Sequence, residues 1–128
     1  YEITDRLTKA KVPCPCGANF VTIKAVEGRM DDEFIYEVGN KKIFVDPHII
    51  RSALLIEANI AEYQVYQLEN GIRVNTINLG KINSSKLIHN IEQKLIKLGL
   101  SSPVVEINEV STLERHPDTG KLKRFVSL

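Results

Sequence analysis

Cysteine is scarce in this chain, and its placement is restrictive. Only Cys14 and Cys16 occur, one residue apart, so no disulfide framework can staple the fold together. A reducing, cytoplasmic setting is the expectation that follows. Long apolar runs are missing as well. No stretch approaches the roughly 20 residues needed to cross a bilayer, and no signal-peptide core opens the chain. An excess of either charge is also absent, since 17 Lys and Arg against 16 Asp and Glu leave a net charge of +1. No broad field exists to recruit a nucleic acid or an anionic membrane, although a local basic patch stays open. What remains is ordinary for a folded domain. A chain of 128 residues that is 43% hydrophobic and 26% charged can bury one core and is not compositionally disordered. It starts at Tyr1 and runs at once into a polar motif, so we expect it to be cut from something longer.

Residues 1–29 hold Pro13, Pro15, Gly17 and Gly28 among short apolar pieces such as Phe20-Val21-Thr22-Ile23. That pattern predicts a meander of brief strands and turns, too small to bury a core alone. From about Met30 the pattern changes to a compact α+β unit. Strands are expected at Glu33–Val38 and Lys42–Val45, separated by Gly39-Asn40. Asp46-Pro47 then reads as an N-cap with proline at the first helical position, opening a helix to about Ala58. Glu62–Leu68 and Gly71–Leu79 read as a hairpin across Asn70-Gly71. Leu87, Ile88, Ile91, Leu95 and Leu98 mark a second helix, capped by Asn83 or Ser84 and stopped at Gly99. Ser102–Val110 is a further strand, and the tail reads as two extended pieces around Pro117–Gly120. The expected architecture is a small mixed sheet with two main helices on one face.

Four motifs could carry chemistry. In Tyr1-Glu2-Ile3-Thr4-Asp5-Arg6, a carboxylate after a strand can accept hydrogen bonds from two vicinal hydroxyls, though a solvated strand-end turn is the plainer reading. In Glu27-Gly28-Arg29-Met30-Asp31-Asp32, Arg29 offers a planar fork for hydroxyl or phosphate oxygens. The same junction could absorb backbone rotation as a hinge. A charged interdomain turn explains those residues equally well. The adjacent carboxylates Asp31 and Asp32 diverge in an extended chain, so no metal site is expected there. In His116-Pro117-Asp118-Thr119-Gly120-Lys121, a lysine just past a glycine turn can reach out to phosphate or carboxylate, although a merely basic hairpin reads the same. Cys14-Pro15-Cys16-Gly17 reads as a turn with two reduced thiols, and it stays open as half of a zinc site.

The order of these motifs is more specific than any one of them. Tyr-x-x-Thr-Asp, then Gly-Arg-x-Asp-Asp, then a C-terminal Thr-Gly-Lys resembles the end of an adenylate-forming enzyme. The phenylacetate–CoA ligase branch, with its coenzyme F synthetase-like and CapK-type members, is the nearest resemblance, because Cys-Pro-Cys-Gly is similar to an element of that branch. The resemblance covers nearly all of this chain but only the last quarter to third of such an enzyme. It implies that residues 1–30 are the tail of an N-terminal adenylation domain, with a hinge at about 31. Residues 31–128 are then a C-terminal mobile lid domain. It further implies that Asp5 and Arg29 contact the ribose of ATP and that Asp31 is the hinge. Lys121 is implied to reach the α-phosphate and the substrate carboxylate. ATP with Mg would be held mainly by the upstream domain, which is the implied partner together with a carboxylate substrate. A surface built to be covered by that domain would leave this chain able to pair with a copy of itself. Neither nucleic acid nor a membrane is an expected partner.

The sequence also departs from the family pattern. The usual glycine is missing before Asp5, and the expected Ile-Lys-x-x-Gly is replaced by Glu33-Phe34-Ile35-Tyr36-Glu37-Val38-Gly39. The acceptor is therefore coenzyme A or something else, since some members of the branch use no thiol. The competing reading is a non-catalytic α+β module that binds a ligand or protein, with a zinc-binding accessory domain as a third.

Overall fold

The computed structural model describes residues 5–29 and 33–128. The chain divides into two compact units, Tyr1–Asp31 and Asp32–Leu128. In the first, β1 (Asp5–Lys9) and β2 (Ile23–Arg29) pair antiparallel. Their register slips between Arg6 and Leu7 and again between Thr8 and Lys9, as β-bulges do. A loop joins the strands and is closed at its base by the Ala10 amide donating to the Thr22 carbonyl at 2.8 Å. Phe20 is 82% exposed and Val12 70% exposed, so these apolar side chains find nothing to pack against within so small a unit.

The second unit is α+β. Its elements are β3 (Phe34–Val38), β4 (Lys41–Val45), α1 (Pro47–Leu54), β5 (Ile60–Leu68), β6 (Gly71–Asn78), α2 (Ser84–Lys97), β7 (Val104–Glu109) and β8 (Phe125–Val126). The main sheet runs β7-β6-β5-β8. β5 and β6 are antiparallel, whereas β6–β7 and β5–β8 are parallel.

The sheet is two-sided because side chains alternate along each strand. Tyr63, Val65 and Gln67 of β5 share one face with Ile72, Val74 and Thr76 of β6. Register carries that face across to Val105 and Ile107 of β7 and to Phe125 of β8. Both helices supply the other half of the core, through Ile50, Ala53 and Leu54 of α1 and Leu87, Ile91 and Leu95 of α2. The opposite sheet face carries polar side chains. There Arg73 pairs with Glu106 at 2.7 Å, and Asn75 lies beside Asn108.

Three details correct the expected architecture. The first concerns the number of sheets. Among the described residues β3 and β4 pair with each other and do not join the main sheet. Their inward side chains Phe34, Tyr36 and Val45 are buried in the shared core, so the hairpin attaches by packing, with Phe34 edge-on to Phe125. The second concerns α1, which begins as expected. Asp46 caps it by accepting from the His48 amide at 2.8 Å. It ends at Leu54, short of Ala58. The next core-facing positions would be Glu57 and Ala58, which offer no large apolar side chain, and Leu55 and Ile56 point to solvent. The third concerns the tail, where only Phe125–Val126 enters a ladder. The segment before the polar turn is held by side chains instead. Among the described residues no helix is long and apolar enough to cross a membrane.

Tyr36 ties the β3–β4 hairpin to the sheet, its hydroxyl donating to the Gly71 carbonyl at 2.7 Å. Burial pushes this hydroxyl well above its ordinary value of 10. The folded chain thus keeps the proton to higher pH than the unfolded chain does. Its stabilisation is complete below pH 10 and drains away as pH rises past that value. Tyr36→Phe should cost about 1–2 kcal/mol at neutral pH, because the Gly71 carbonyl loses its donor. The same change should flatten the alkaline loss of stability. Urea unfolding at neutral and alkaline pH checks both effects.

Candidate functional site

The loop that carries Lys121 is fastened to the polar face of the main sheet chiefly by one buried side chain, with two further ties beside it. Gln64 of β5 is 2% exposed. Its Nε2 donates to the Glu114 carbonyl at 3.2 Å and to the Lys123 carbonyl at 2.9 Å. Its Oε1 accepts from the Glu114 amide at 3.2 Å and from the Tyr66 hydroxyl at 2.8 Å. Both ends of the segment 114–123 are thereby pinned to one buried amide. A buried amide with all of these partners is far better satisfied than one left bare in the sheet.

Further bonds shape the segment from within. The His116 amide donates to the Lys121 carbonyl at 2.9 Å, and the Gly120 amide to the His116 carbonyl at 2.8 Å. His116 Nδ1 accepts from the amides of Asp118 and Thr119 at 3.3 and 3.4 Å. Arg115 reaches both oxygens of Glu62 at 2.8 Å. Tyr66 also donates to Glu114 at 3.3 Å, and its hydroxyl is held above its ordinary value by burial first and the Glu114 charge second.

The basic residues of this loop therefore divide by role. Arg115 is spent on Glu62, and the Arg124 guanidinium lies 5.0 Å over the Tyr63 ring. Lys121 is exposed, and among the described residues its ammonium has no ion-pair partner. Lys123 is likewise exposed, with no ion-pair partner among the described residues. The anchored loop thus presents two uncommitted cations, Lys121 just past the turn and Lys123 at its base, to phosphate or carboxylate oxygens.

The other site residues fall in the first unit. Asp5 stands directly opposite Arg29 in the β1–β2 register, at the open end of that hairpin. The two motifs lie far apart in sequence, and strand pairing brings their backbones together. Asp31 lies outside the described residues. The Cys14–Cys16 turn is at the far end of the same hairpin, with the sulfurs 2.8 Å apart. No group of three or more His, Cys, Asp or Glu positioned for a metal occurs among the described residues.

Gln64 was invisible to sequence reasoning. It sits where alternation along β5 predicts an outward polar residue, and its partners are 50 and 59 residues away. Gln64→Leu keeps the size but strands three backbone groups of the loop. We expect a loss of about 2–3 kcal/mol, with the sheet and helices still folded. A thermal melt checks the loss, and faster amide exchange at Glu114 checks that the loop has been released.

No known protein-family model matches the chain, and no curated protein matches it either.

Proposed function

We propose that this chain is the C-terminal part of an ATP-dependent, adenylate-forming ligase of the phenylacetate–CoA ligase-like kind. On this reading residues 31–128 are the mobile lid, with the hinge at about 31, and residues 1–30 are the tail of the upstream adenylation domain. The observation that carries the proposal is the anchored loop with its uncommitted Lys121, since the motif order assigns the catalytic cation to that residue. The pairing of Asp5 with Arg29 supports it, because one nucleotide ribose can be contacted by two side chains that start from opposed backbone positions.

The chemistry asked of each residue is modest. Adenylation brings a carboxylate against the α-phosphate of ATP, displaces pyrophosphate and leaves an acyl-adenylate. Lys121 would neutralise the charge that builds on the phosphoryl and carboxylate oxygens as they meet. Asp5 would accept hydrogen bonds from the ribose hydroxyls while Arg29 donates to the same sugar. Backbone rotation at Asp31 would then withdraw Lys121 and open the way for the acceptor, coenzyme A or another nucleophile. Mg would neutralise the leaving pyrophosphate from the upstream domain. This chain alone holds too few of these groups to catalyse the reaction.

Pyrophosphate exchange tests the assignment. The longer protein that contains this segment should exchange pyrophosphate into ATP when given a suitable aryl or alkyl carboxylate. Silence across a broad panel of such acids would count against a ligase and in favour of a non-catalytic binding module.

A further inference from the structure

The turn 14–17 brings two thiols together in a way that neither the fold nor the proposed ligase chemistry requires. The Gly17 amide donates to the Cys14 carbonyl at 3.0 Å, which closes a β-turn over Pro15 and Cys16. Proline in the second position presets the backbone, so little entropy is lost in forming the turn. The result is a Sγ–Sγ separation of 2.8 Å between Cys14, which is half-buried, and Cys16, which is exposed. Both are free thiols. They sit in a loop closed at its base by the Ala10–Thr22 bond, so the turn is held at the end of a hairpin.

We propose that Cys14 and Cys16 form a peroxide-responsive thiol pair, in which Cys16 is oxidised first and Cys14 closes the disulfide. Cys16 is the accessible sulfur and therefore the one a peroxide meets. Its thiol is also held below its ordinary value of 9.0, chiefly by the hydrogen bond from Cys14 and then by the Ala18 amide. The Cys16 thiolate attacks one peroxide oxygen, and the O–O bond breaks. The departing hydroxide takes up the proton that Cys16 released on ionising and leaves as water, and Cys16 becomes a sulfenic acid. The Cys14 sulfur then attacks the Cys16 sulfur, the S–O bond breaks, and the hydroxide takes the Cys14 proton to leave as a second water. Two thiols are oxidised by two electrons and one hydrogen peroxide is reduced to two waters. Such a bond links neighbours in one turn, so it is a reversible local modification and not a staple for the fold.

The test uses this chain, fully reduced and then exposed to a small excess of hydrogen peroxide. Intact mass under non-reducing conditions should show the loss of two hydrogens, reversed by dithiothreitol. Cys14→Ser should stop at a sulfenic acid on Cys16 that dimedone traps. Cys16→Ser should react about tenfold more slowly, because its remaining thiol, Cys14, is the half-buried one. The proposal is overturned if Cys16→Ser oxidises as fast as the parent. It is equally overturned if the parent goes to sulfinic acid without a disulfide, or if the purified chain keeps stoichiometric zinc on both sulfurs. These readouts are independent of ligase activity.

Discussion

On the proposed ligase reading, Lys121→Ala should abolish most pyrophosphate exchange by the longer protein that contains this segment while leaving its melting temperature unchanged. The activity loss follows from where charge develops. Removing one preorganised partner of a transition-state oxyanion costs about 10²–10³-fold in rate, and Lys121 is proposed to serve two such groups at once. The unchanged stability follows from the structure. Lys121 is exposed and, among the described residues, has no ion-pair partner to strand. Substitutions of this kind stay within about 0.5 kcal/mol. Lys121→Arg should recover only part of the rate, because a planar fork replaces a compact charge on a differently shaped stem. Exchange assays and thermal melts of the three proteins together decide the matter. Full exchange by the alanine variant would remove Lys121 from the catalytic machinery and the proposed ligase reading with it.

Gly71→Ala should be among the most damaging single changes to the fold. Gly71 opens β6 with φ +135, a backbone conformation that side chains disfavour. It is buried between neighbours on both sides. A Cβ there would run into the carbonyl oxygen and the amide nitrogen of Val104, the first residue of β7. Its own carbonyl is the acceptor for the Tyr36 hydroxyl, so relieving the clash would also disturb the β3–β4 hairpin. We expect a loss of about 3 kcal/mol or more. For a unit of this size that lowers the melting temperature by roughly 15 °C. Gly39→Ala is the control. Gly39 also has positive φ, at +60, yet nothing lies within 4 Å of its added carbon. Its cost should stay near 1–2 kcal/mol. Comparable losses at both positions would show that backbone conformation, and not the approach of Val104, dominates at Gly71.

Asn70-Gly71 illustrates how far the sequence could be read. The pair announced a hairpin between two alternating strands, and that hairpin is present. Nothing nearby announced that the same glycine must also admit β7, because Val104 comes 33 residues later. The helices divide in the same way. Asn83, the apolar positions Leu87, Ile91 and Leu95, and Gly99 mark α2 within its own span, and Asn83 is the cap. The sequence pattern carries α1 on to Ala58, four residues past its end at Leu54, because a helix stops where its core stops, and the core is made by other elements.

The proposed site shows the contrast most clearly. Asp5, Arg29 and Lys121 were named from motif order alone, and Asp31 with them. That Asp5 and Arg29 share a register, and that the Lys121 loop is pinned to Gln64, are facts of pairing between distant segments. Composition, turn residues, caps and periodicity are local signals, set by backbone sterics and by which face of a helix or strand is apolar. They determined the α+β class and the position of most elements. The tertiary structure decided that β3–β4 stands apart from the main sheet, that β8 joins β5 in parallel, and that one buried glutamine holds the Lys121 loop. Those choices depend on which groups must find partners once the core is closed, and those partners lie more than 30 residues away, at 35 for Tyr36 and at 50 and 59 for Gln64.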